Sequence, residues 1–256
     1  MSQGVEERER EFFDRYYEEE ACNPTGLRLR MQRELRSLRR RARDRRIGRV
    51  LSIGCGDGLF ESLLAPCAES VLGIDLSDEA VARARARSAT LGLRNAEFRC
   101  LPLSELRWDE SFDAIVCLAF LHHVPEAELP HLLASVHAHL RPGGFFYSQD
   151  PGRDGALRRV GRVLLGARYD RYHSPDEREL DPQAVAGQLR TAGFSTVEIG
   201  WIDFTLIPAQ YFLPRAPGWL MHPCVWLDRA LCATPLARWG SGFTVFATRA
   251  GGSPSS

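Results

Sequence analysis

The chain has 256 residues with 33 basic and 33 acidic side chains, so its formal net charge is zero. This balance argues against a general nucleic-acid binder, which would be basic overall, and the length fits one domain with insertions. No apolar run approaches the ~18 residues of a membrane span, and no apolar leader segment stands at the start. The sequence therefore predicts a globular protein without a transmembrane segment, located in the cytoplasm.

The seven cysteines argue against a structural metal site. They are scattered without a C-x-x-C pair, so the spacing of a zinc site is missing. Several fall in predicted strands or turns, where cysteine acts as a small apolar filler. We therefore predict reduced thiols and no metal ligands; the cysteines lie at positions 22, 55, 67, 100, 117, 224 and 232.

Two helices are predicted before the first strand, and together residues 1–47 form a helical cap. Residues 5–21 are charged and carry Phe12, Phe13, Tyr16 and Tyr17. The next helix has an apolar stripe from Leu27 to Ala42 with arginine on its other faces. A solvated arginine face is one interpretation, and a docking surface for an acidic carrier protein or a phosphorylated substrate is the other.

Residues 50 to 58 carry the most specific motif of the chain. Val50 to Ile53 is a short apolar run typical of a buried parallel strand, and Gly54, Gly56 and Gly58 follow at alternating positions. The next segment looks helical. A strand, a glycine turn and a helix begin a nucleotide-binding α/β unit. The third glycine stands one residue earlier than the dinucleotide fingerprint requires, which disfavours a nicotinamide dehydrogenase.

Strands and helices alternate after this turn, as a doubly wound parallel sheet requires. A second strand over residues 70–74 ends at Asp75, at the distance expected for a ribose-binding acid. Ser77 is predicted to cap the helix that follows. Further strands are predicted at 96–100, 111–117 and 145–149, with helices at 126–140 and 181–192.

This ordered set resembles the class I S-adenosylmethionine-dependent methyltransferases of small molecules over about residues 48 to 150. The G-x-G-x-G spacing with Asp75 carries the resemblance, together with segments 111–117, Leu121-His122-His123-Val124 and 140–146. The resemblance implies a Rossmann-like, doubly wound α/β sheet of seven mostly parallel strands with an antiparallel last strand. The last two strands are then 197–202 and 243–248, and the domain spans 48–250.

The resemblance also implies S-adenosylmethionine as cofactor and S-adenosylhomocysteine as product. The glycine-turn backbone then holds the amino-acid portion, Asp75 accepts from the ribose hydroxyls, and Leu76 packs on the adenine. No acid follows the third strand, so packing and backbone groups of segment 100–103 would hold the adenine. The complete predicted cofactor set is Tyr16, Tyr17, Gly54, Cys55, Gly56, Gly58, Asp75, Leu76, Leu101, Leu103, Cys117 and Leu118.

Within this set, five members have an alternative interpretation, and for Asp75 it is an acid that caps the next helix. Cys117 and Leu118 end the fourth strand, where they would face the reactive methyl group or simply pack in the core. The aromatic side chains of Tyr16 and its neighbours would close over the cofactor as a lid, or would pack between helices.

Histidines are the candidate general bases, which a methyl transfer needs only if the acceptor must lose a proton. His122 and His123 lie just beyond the fourth strand, on the side where substrates usually enter this family. Asp150 follows the fifth strand, and His173 lies in an insertion beside Glu177. An ordinary loop or core histidine is the alternative in each case.

Two segments are longer than normal connections, and such loops are often lids or binding elements. Residues 151–180 follow the fifth strand, and residues 204–240 separate the last two strands. The second insertion is expected to form a wall of the substrate pocket, or else to cover the sheet edge or a dimer contact. Its aromatic residues, with one preceding it, are Trp201, Tyr211, Phe212, Trp219 and Trp226. Residues 251–256 are expected to form a disordered tail.

The leading hypothesis is methyl transfer to a small hydrophobic metabolite such as a polyketide, terpenoid, quinone or lipid-like compound, as in secondary metabolism. The alternative is a non-catalytic S-adenosylmethionine-binding subunit that supports a partner enzyme. A homodimer and docking to a carrier protein are both open, and no nucleic-acid partner is expected.

Overall fold

A computed structural model describes residues 3–18, 23–105, 111–153, 163, 174 and 177–251. The strands are β1 (Ile47–Ile53), β2 (Ala68–Asp75), β3 (Ala96–Cys100), β4 (Phe112–Leu118), β5 (Leu140–Pro151), β6 (Thr196–Ile202) and β7 (Gly242–Thr248). The α-helices in these ranges are α1 (Gln3–Glu18), α2 (Pro24–Arg41), α3 (Leu59–Leu64), α4 (Asp78–Thr90), α5 (Leu129–His139), α6 (Pro182–Thr191), α7 (Leu206–Phe212) and α8 (Met221–Cys232).

The seven strands form one sheet in the order β3-β2-β1-β4-β5-β7-β6. The first five strands are parallel, and β7 is antiparallel to both β5 and β6. The predicted α/β fold with an antiparallel last strand is therefore confirmed. The strand order reverses at β1, because β2 and β4 flank it on opposite sides, and such a reversal opens a crevice at the carboxyl ends of the strands.

Both faces of the sheet are covered, as a parallel sheet requires. On one face, Met31 and Leu38 of α2 and Leu64 of α3 pack on β1 and β4. On the other face, Leu133 of α5 and Leu189 of α6 pack on the opposite sides of the same strands. The crevice is therefore held by a core on each face of the sheet.

Helix caps follow the predicted chemistry. The Ser77 hydroxyl accepts from the amide of Ala80 at 3.0 Å, and Pro182 takes a first-turn position in α6. Asn23 accepts from the amide of Gly26 at 3.1 Å and so caps the start of α2. The fifth strand starts at Leu140, earlier than predicted. A register shift between Phe112 and Ala114 of β4 allows Leu140 to pair with Phe112.

The arginine-rich helix α2 is not simply solvated, and that interpretation is wrong for Arg33. Its guanidinium binds Asp203 through both nitrogens and contacts Glu34 at 2.9 Å and Asp228 at 3.6 Å. Asp203 and Asp228 have at most 3% of their side chains exposed. Burial disfavours the charged guanidinium and would lower the pKa of Arg33. The carboxylates of Asp203 and Glu34 have the larger combined effect and hold that pKa well above its usual value.

This ion cluster fastens the second insertion to α2. Residues 204–240 are largely helical rather than a loop, and Asp228 of α8 also accepts from the amides of Phe204 and Thr205 at 3.1 and 2.7 Å. Trp219 and Trp226 are 69% and 70% exposed, so these side chains do not line an enclosed pocket. Trp201 packs on the core instead. The side chain of Tyr211, most of 151–180 and the tail beyond Gly251 lie outside the described residues.

No helix in the described part of the chain is long and apolar enough to cross a membrane.

Replacing Arg33 by methionine should lower the free energy of unfolding by about 3 kcal/mol, because two buried carboxylates lose their cation. Urea unfolding followed by circular dichroism measures the loss. The matched control is Arg39→Met, which removes an exposed pair with Asp44 and should cost less than about 1 kcal/mol. Equal losses in the two variants would contradict a structural role for the cluster.

Glu61 is a buried carboxylic acid on α3, directly behind the glycine turn. The Ser52 hydroxyl donates to its Oε1 at 2.5 Å, while Oε2 is buried without a hydrogen-bond partner. Burial raises the pKa of Glu61 to about 7, although the Ser52 hydrogen bond acts in the opposite direction. The folded protein therefore holds a proton here that the unfolded chain releases near its ordinary pKa.

Because the folded pKa of Glu61 lies above the unfolded one, ionisation destabilises the fold as pH rises from about 4.5 through 7. The total effect is up to about 3 kcal/mol, from a shift of ~2.5 units at 1.36 kcal/mol each. In Glu61→Gln, this pH-dependent loss should disappear, so the variant should gain stability relative to wild type between pH 5 and 8. Denaturant titrations at both pH values measure the free energy of unfolding of the variant and of wild type. Glu69→Gln, at an exposed position of β2, should leave the dependence unchanged.

Candidate active site

The glycine turn lies at the carboxyl end of β1, inside the crevice. Gly54, Gly56 and Gly58 all have positive φ, at +72°, +54° and +72°. A Cβ at position 54 would lie 2.6 Å from the Phe120 ring, and one at position 58 would lie 2.8 Å from Ala84 Cβ. The turn therefore needs glycine for its backbone conformation and for close packing against β4 and α4.

Asp75 joins this turn to the end of β2. Its Oδ2 accepts from the amide of Gly56 at 2.7 Å, and its Oδ1 accepts from the amide of Ser77 at 3.0 Å. Burial raises the pKa of Asp75, against the effect of these backbone hydrogen bonds. The capping of α4 belongs to Ser77, so Asp75 is a half-buried acceptor that faces the crevice edge beside the glycine turn.

The residues predicted to surround the adenine lie together beyond Asp75. Leu76, Leu101 and Leu103 are all half-buried, and the amide of Leu101 donates to the carbonyl of Asp75 at 2.8 Å. The thiol of Cys100 donates to the carbonyl of Leu76 at 3.5 Å. The chain thus forms an apolar wall at this end of the crevice, in line with a group held by packing rather than by an acid.

The two predicted residues at the end of β4 differ in their surroundings. Cys117 is wholly buried in the main core, and burial raises the pKa of its thiol well above the usual range. Leu118 is half-buried and packs against the other core. The structure supports packing for Cys117, and contact with a reactive methyl group stays a prediction for both.

Helix α1 lies across the crevice edge. Asp14 accepts from the Ser77 hydroxyl next to Asp75, and the Phe13 ring meets the His123 ring edge-on at 5.2 Å. Tyr16 packs on Phe12 and Phe13 within the same helix. The helix therefore reaches from the end of β2 to the end of β4, where a lid would lie. The side chain of Tyr17 lies outside the described residues.

His122 and His123 sit in a buried network of acids. His122 Nδ1 lies 2.9 Å from Asp150 Oδ1, and the His122 amide donates to the same oxygen at 3.3 Å. His123 Nδ1 lies 3.0 Å from Glu9 Oε2. The Ser174 hydroxyl donates to the other oxygen of Glu9 at 2.5 Å. The third predicted histidine, His173, lies outside the described residues.

Burial and charge give these groups unusual proton affinities. Burial raises the pKa of Asp150 to about 7, against the amide hydrogen bonds that it accepts. For His123, burial lowers the pKa, but the hydrogen bond and charge of Glu9, with Glu177 and Asp150, outweigh it, so the net shift is upward. Perturbed groups of this kind cluster at functional sites.

The same network contains a possible donor set for a metal. His122, His123 and Glu177 each offer a nitrogen or oxygen within 4.8 Å of the others. The sequence predicts that the protein binds no metal, and the absence of a metal stays a prediction.

Sequence reasoning missed Glu9 and Ser174. Glu9 stands in a helix with many acids, and only the docking of α1 against β4 distinguishes it from its neighbours. No signal in the sequence pairs it with His123.

A family model described as a methyltransferase domain matches residues 27–199, more than half of the chain. The chain belongs to the class I S-adenosylmethionine-dependent methyltransferases. The predicted family and enzyme class are thereby confirmed, and S-adenosylmethionine is the methyl donor.

Curated relatives include the ubiquinone biosynthesis O-methyltransferase of Acinetobacter baumannii, 24% identical over 172 residues. The protein of that name from Paraburkholderia phymatum is 29% identical over 171 residues. The alignments cover 64% of this methyltransferase chain and 71% and 72% of the relatives.

Solved structures share the fold of this methyltransferase. The DhpI complex with S-adenosylhomocysteine has a TM-score of 0.61 at 20% identity, covering 99% of this chain and 100% of the other. The magnesium protoporphyrin IX methyltransferase of Synechocystis PCC 6803 has a TM-score of 0.58 at 17% identity, covering 88% and 84%.

In this methyltransferase, Asp75→Ala should weaken S-adenosylhomocysteine binding by about 30- to 150-fold, a total loss of about 2–3 kcal/mol, since charged hydrogen bonds contribute ~1.5–3 kcal/mol each before compensation. Isothermal titration calorimetry measures the affinity. Asp113→Ala is the matched control, because Asp113 also accepts from a backbone amide, that of Arg49 at 2.7 Å, but at the opposite end of the sheet. An Asp75→Ala affinity equal to that of the control would remove Asp75 from the cofactor site.

Proposed function

We propose that this methyltransferase transfers the methyl group of S-adenosylmethionine to a hydroxyl oxygen of a small hydrophobic metabolite. The observation that carries the proposal is the His122–Asp150 pair at the carboxyl edge of the sheet, next to the glycine turn. The O-methyltransferase relatives support an oxygen acceptor, and their printed role in ubiquinone biosynthesis supports a quinone-like or phenolic compound. Polyketide, terpenoid and lipid-like acceptors belong to the same hydrophobic class.

The cofactor occupies the crevice between the ends of β1, β2 and β4 in this proposal. The backbone of the glycine turn, from Gly54 through Cys55 to Gly58, approaches the amino-acid portion. Asp75 accepts from the ribose hydroxyls with the lone pairs that remain beside its two amide contacts. Leu76, Leu101 and Leu103 would pack on the adenine, and Leu118 would lie towards the methyl group, while Cys117 packs in the core behind the end of β4. Helix α1, with Tyr16, would close the site and exclude water.

His122 is the proposed general base. The Nδ1–H donates to Asp150, and this tautomer, assigned from the hydrogen-bond network, leaves the lone pair on Nε2. The acceptor hydroxyl gives its proton to Nε2 while its oxygen forms a bond to the methyl carbon. S-adenosylmethionine, when bound, would supply the methyl group and keep the electron pair of its carbon–sulfur bond, which leaves the neutral thioether S-adenosylhomocysteine. Glu177 Oε1, 3.8 Å from Nε2, stabilises the imidazolium charge.

His123 has a different proposed role, because its Nδ1 pairs with Glu9 of α1. A raised pKa favours the protonated form, which strengthens this contact between the lid and the sheet edge. His123 therefore positions the lid rather than removing the substrate proton. The proposed mechanism assigns no role to His173.

Replacing His122 by glutamine should lower kcat by about 10²- to 10⁴-fold, the usual contribution of a positioned base. Affinity for S-adenosylhomocysteine should stay within about threefold, because the base contacts the acceptor. The assay follows transfer of labelled methyl to a panel of phenols, hydroquinones and aliphatic alcohols. Asp150→Asn should also lower kcat, since it disturbs the tautomer of His122. His139→Gln is the control, because His139 is the last residue of α5 and lies just before the start of β5, at the opposite end of that strand from Asp150.

Retention of full turnover by His122→Gln would overturn the base assignment. A protein that binds S-adenosylhomocysteine yet methylates no member of a broad panel would favour the alternative, a cofactor-binding subunit that supports a partner enzyme. We also propose a cytoplasmic location. The six described cysteines are free, which suits a reducing compartment.

A further inference from the structure

The second insertion exposes an unusual amount of apolar surface. Nine large hydrophobic side chains are exposed in the described residues, and seven of them fall within positions 204–240. Two lie on α8, and α8 contacts α7 and the short helices at 218–220 and 235–239, which carry four of the others. We call this surface the insertion face, and its exposed side chains are Phe212, Leu213, Trp219, Trp226, Leu227, Leu236 and Trp239.

Helix α8 contributes two side chains to the insertion face, and both lie on the side of the helix that faces away from α2. The buried side chains of Met221 and Asp228 lie on the side of α8 that packs against α2. On the opposite arc, Trp226 and Leu227 are exposed, with Pro223 and Ala230 at helical spacing beside them. The outward arc is thus apolar, where a solvated helix would carry charge.

The exposed charged side chains of residues 204–240 are all positive. The only acid between positions 204 and 240 is Asp228, which is buried against Arg33. The exposed charges of the segment are therefore Arg215, Arg229 and Arg238. Arg238 lies over the Trp239 ring, with 5.5 Å between the guanidinium carbon and the ring centroid.

Further positive charge reaches the face from α2. The pKa of Arg36 is lowered, first by partial burial and then by the nearby charges of Arg229 and Arg40. Arginines of α2 thus extend the positive field beyond the insertion.

We propose that the insertion face binds the surface of an anionic phospholipid bilayer. Tryptophan and leucine side chains insert at the level of the headgroups, where amphipathic aromatic rings are favoured. Arginines at the edge of the face pair with lipid phosphates and gain from the negative surface potential. The ion cluster around Arg33 holds α8 against α2, so the apolar arc is presented on a rigid support.

The charge pattern disfavours a second copy of the chain as the occupant. A two-fold contact places the same patch on both sides, so the arginines of the two copies would face each other without an acid in the patch. A bilayer with anionic lipids supplies the missing negative charge. The proposal does not depend on which acceptor is methylated.

Vesicle flotation tests the proposal on the full chain. The protein should float with vesicles of phosphatidylcholine and phosphatidylglycerol, and tryptophan emission should shift to shorter wavelength. Binding should fall by at least about tenfold in Trp219→Ala/Trp226→Ala, and by about fivefold for each of Arg215→Gln and Arg229→Gln. Trp219→Phe/Trp226→Phe should retain most of the binding.

Leu91→Ala is the matched control, because Leu91 is 57% exposed at the end of α4, outside the insertion. The control should bind vesicles like wild type. No flotation of wild type, or flotation that the insertion variants leave unchanged, would overturn the proposal. Analytical ultracentrifugation completes the test: a dimer that the double tryptophan variant dissociates would assign the face to a second copy instead.

Discussion

The reversal of strand order at β1 is the constraint on which the site depends. The chain crosses to β2 and β3 on one side and to β4 and β5 on the other, so the connections at the carboxyl ends diverge there. The crevice that results receives the glycine turn, Asp75 and the residues after β4. Asp75 then ties two of these segments together, because its two oxygens accept amides from both.

A second set of charged residues connects the carboxyl edge of the sheet to helix α1. Glu9 of α1 reaches His123, while Asp150 at the end of β5 reaches His122. The two rings lie 4.0 Å apart between centroids, so the contact of α1 with His123 and the His122–Asp150 pair share one electrostatic environment. The pKa values of Asp150 and His123 depend on each other in this network, because the charge of each group shifts the pKa of the other.

The arginines of α2 illustrate how one residue type serves different purposes. Arg33 neutralises buried acids and anchors the second insertion, whereas Arg39 forms an exposed pair with Asp44. Tyr147 of β5 donates to Glu34 at 2.7 Å, which extends the anchored region to the sheet. The insertion can therefore carry exposed tryptophans without loosening, because its inner side is held by ion pairs rather than by apolar packing alone.

The sequence by itself determined the order of strands and helices, the cofactor class and the glycine turn with Asp75, because short-range patterns encode them. Apolar runs, glycine spacing and the Ser77 cap are local properties of the chain. Only the tertiary structure decided that Arg33 pairs with buried acids, that Glu9 meets His123 and that Trp219 and Trp226 face outwards. These depend on which distant segments pack together, and a helix with charges on several faces does not specify which face is covered.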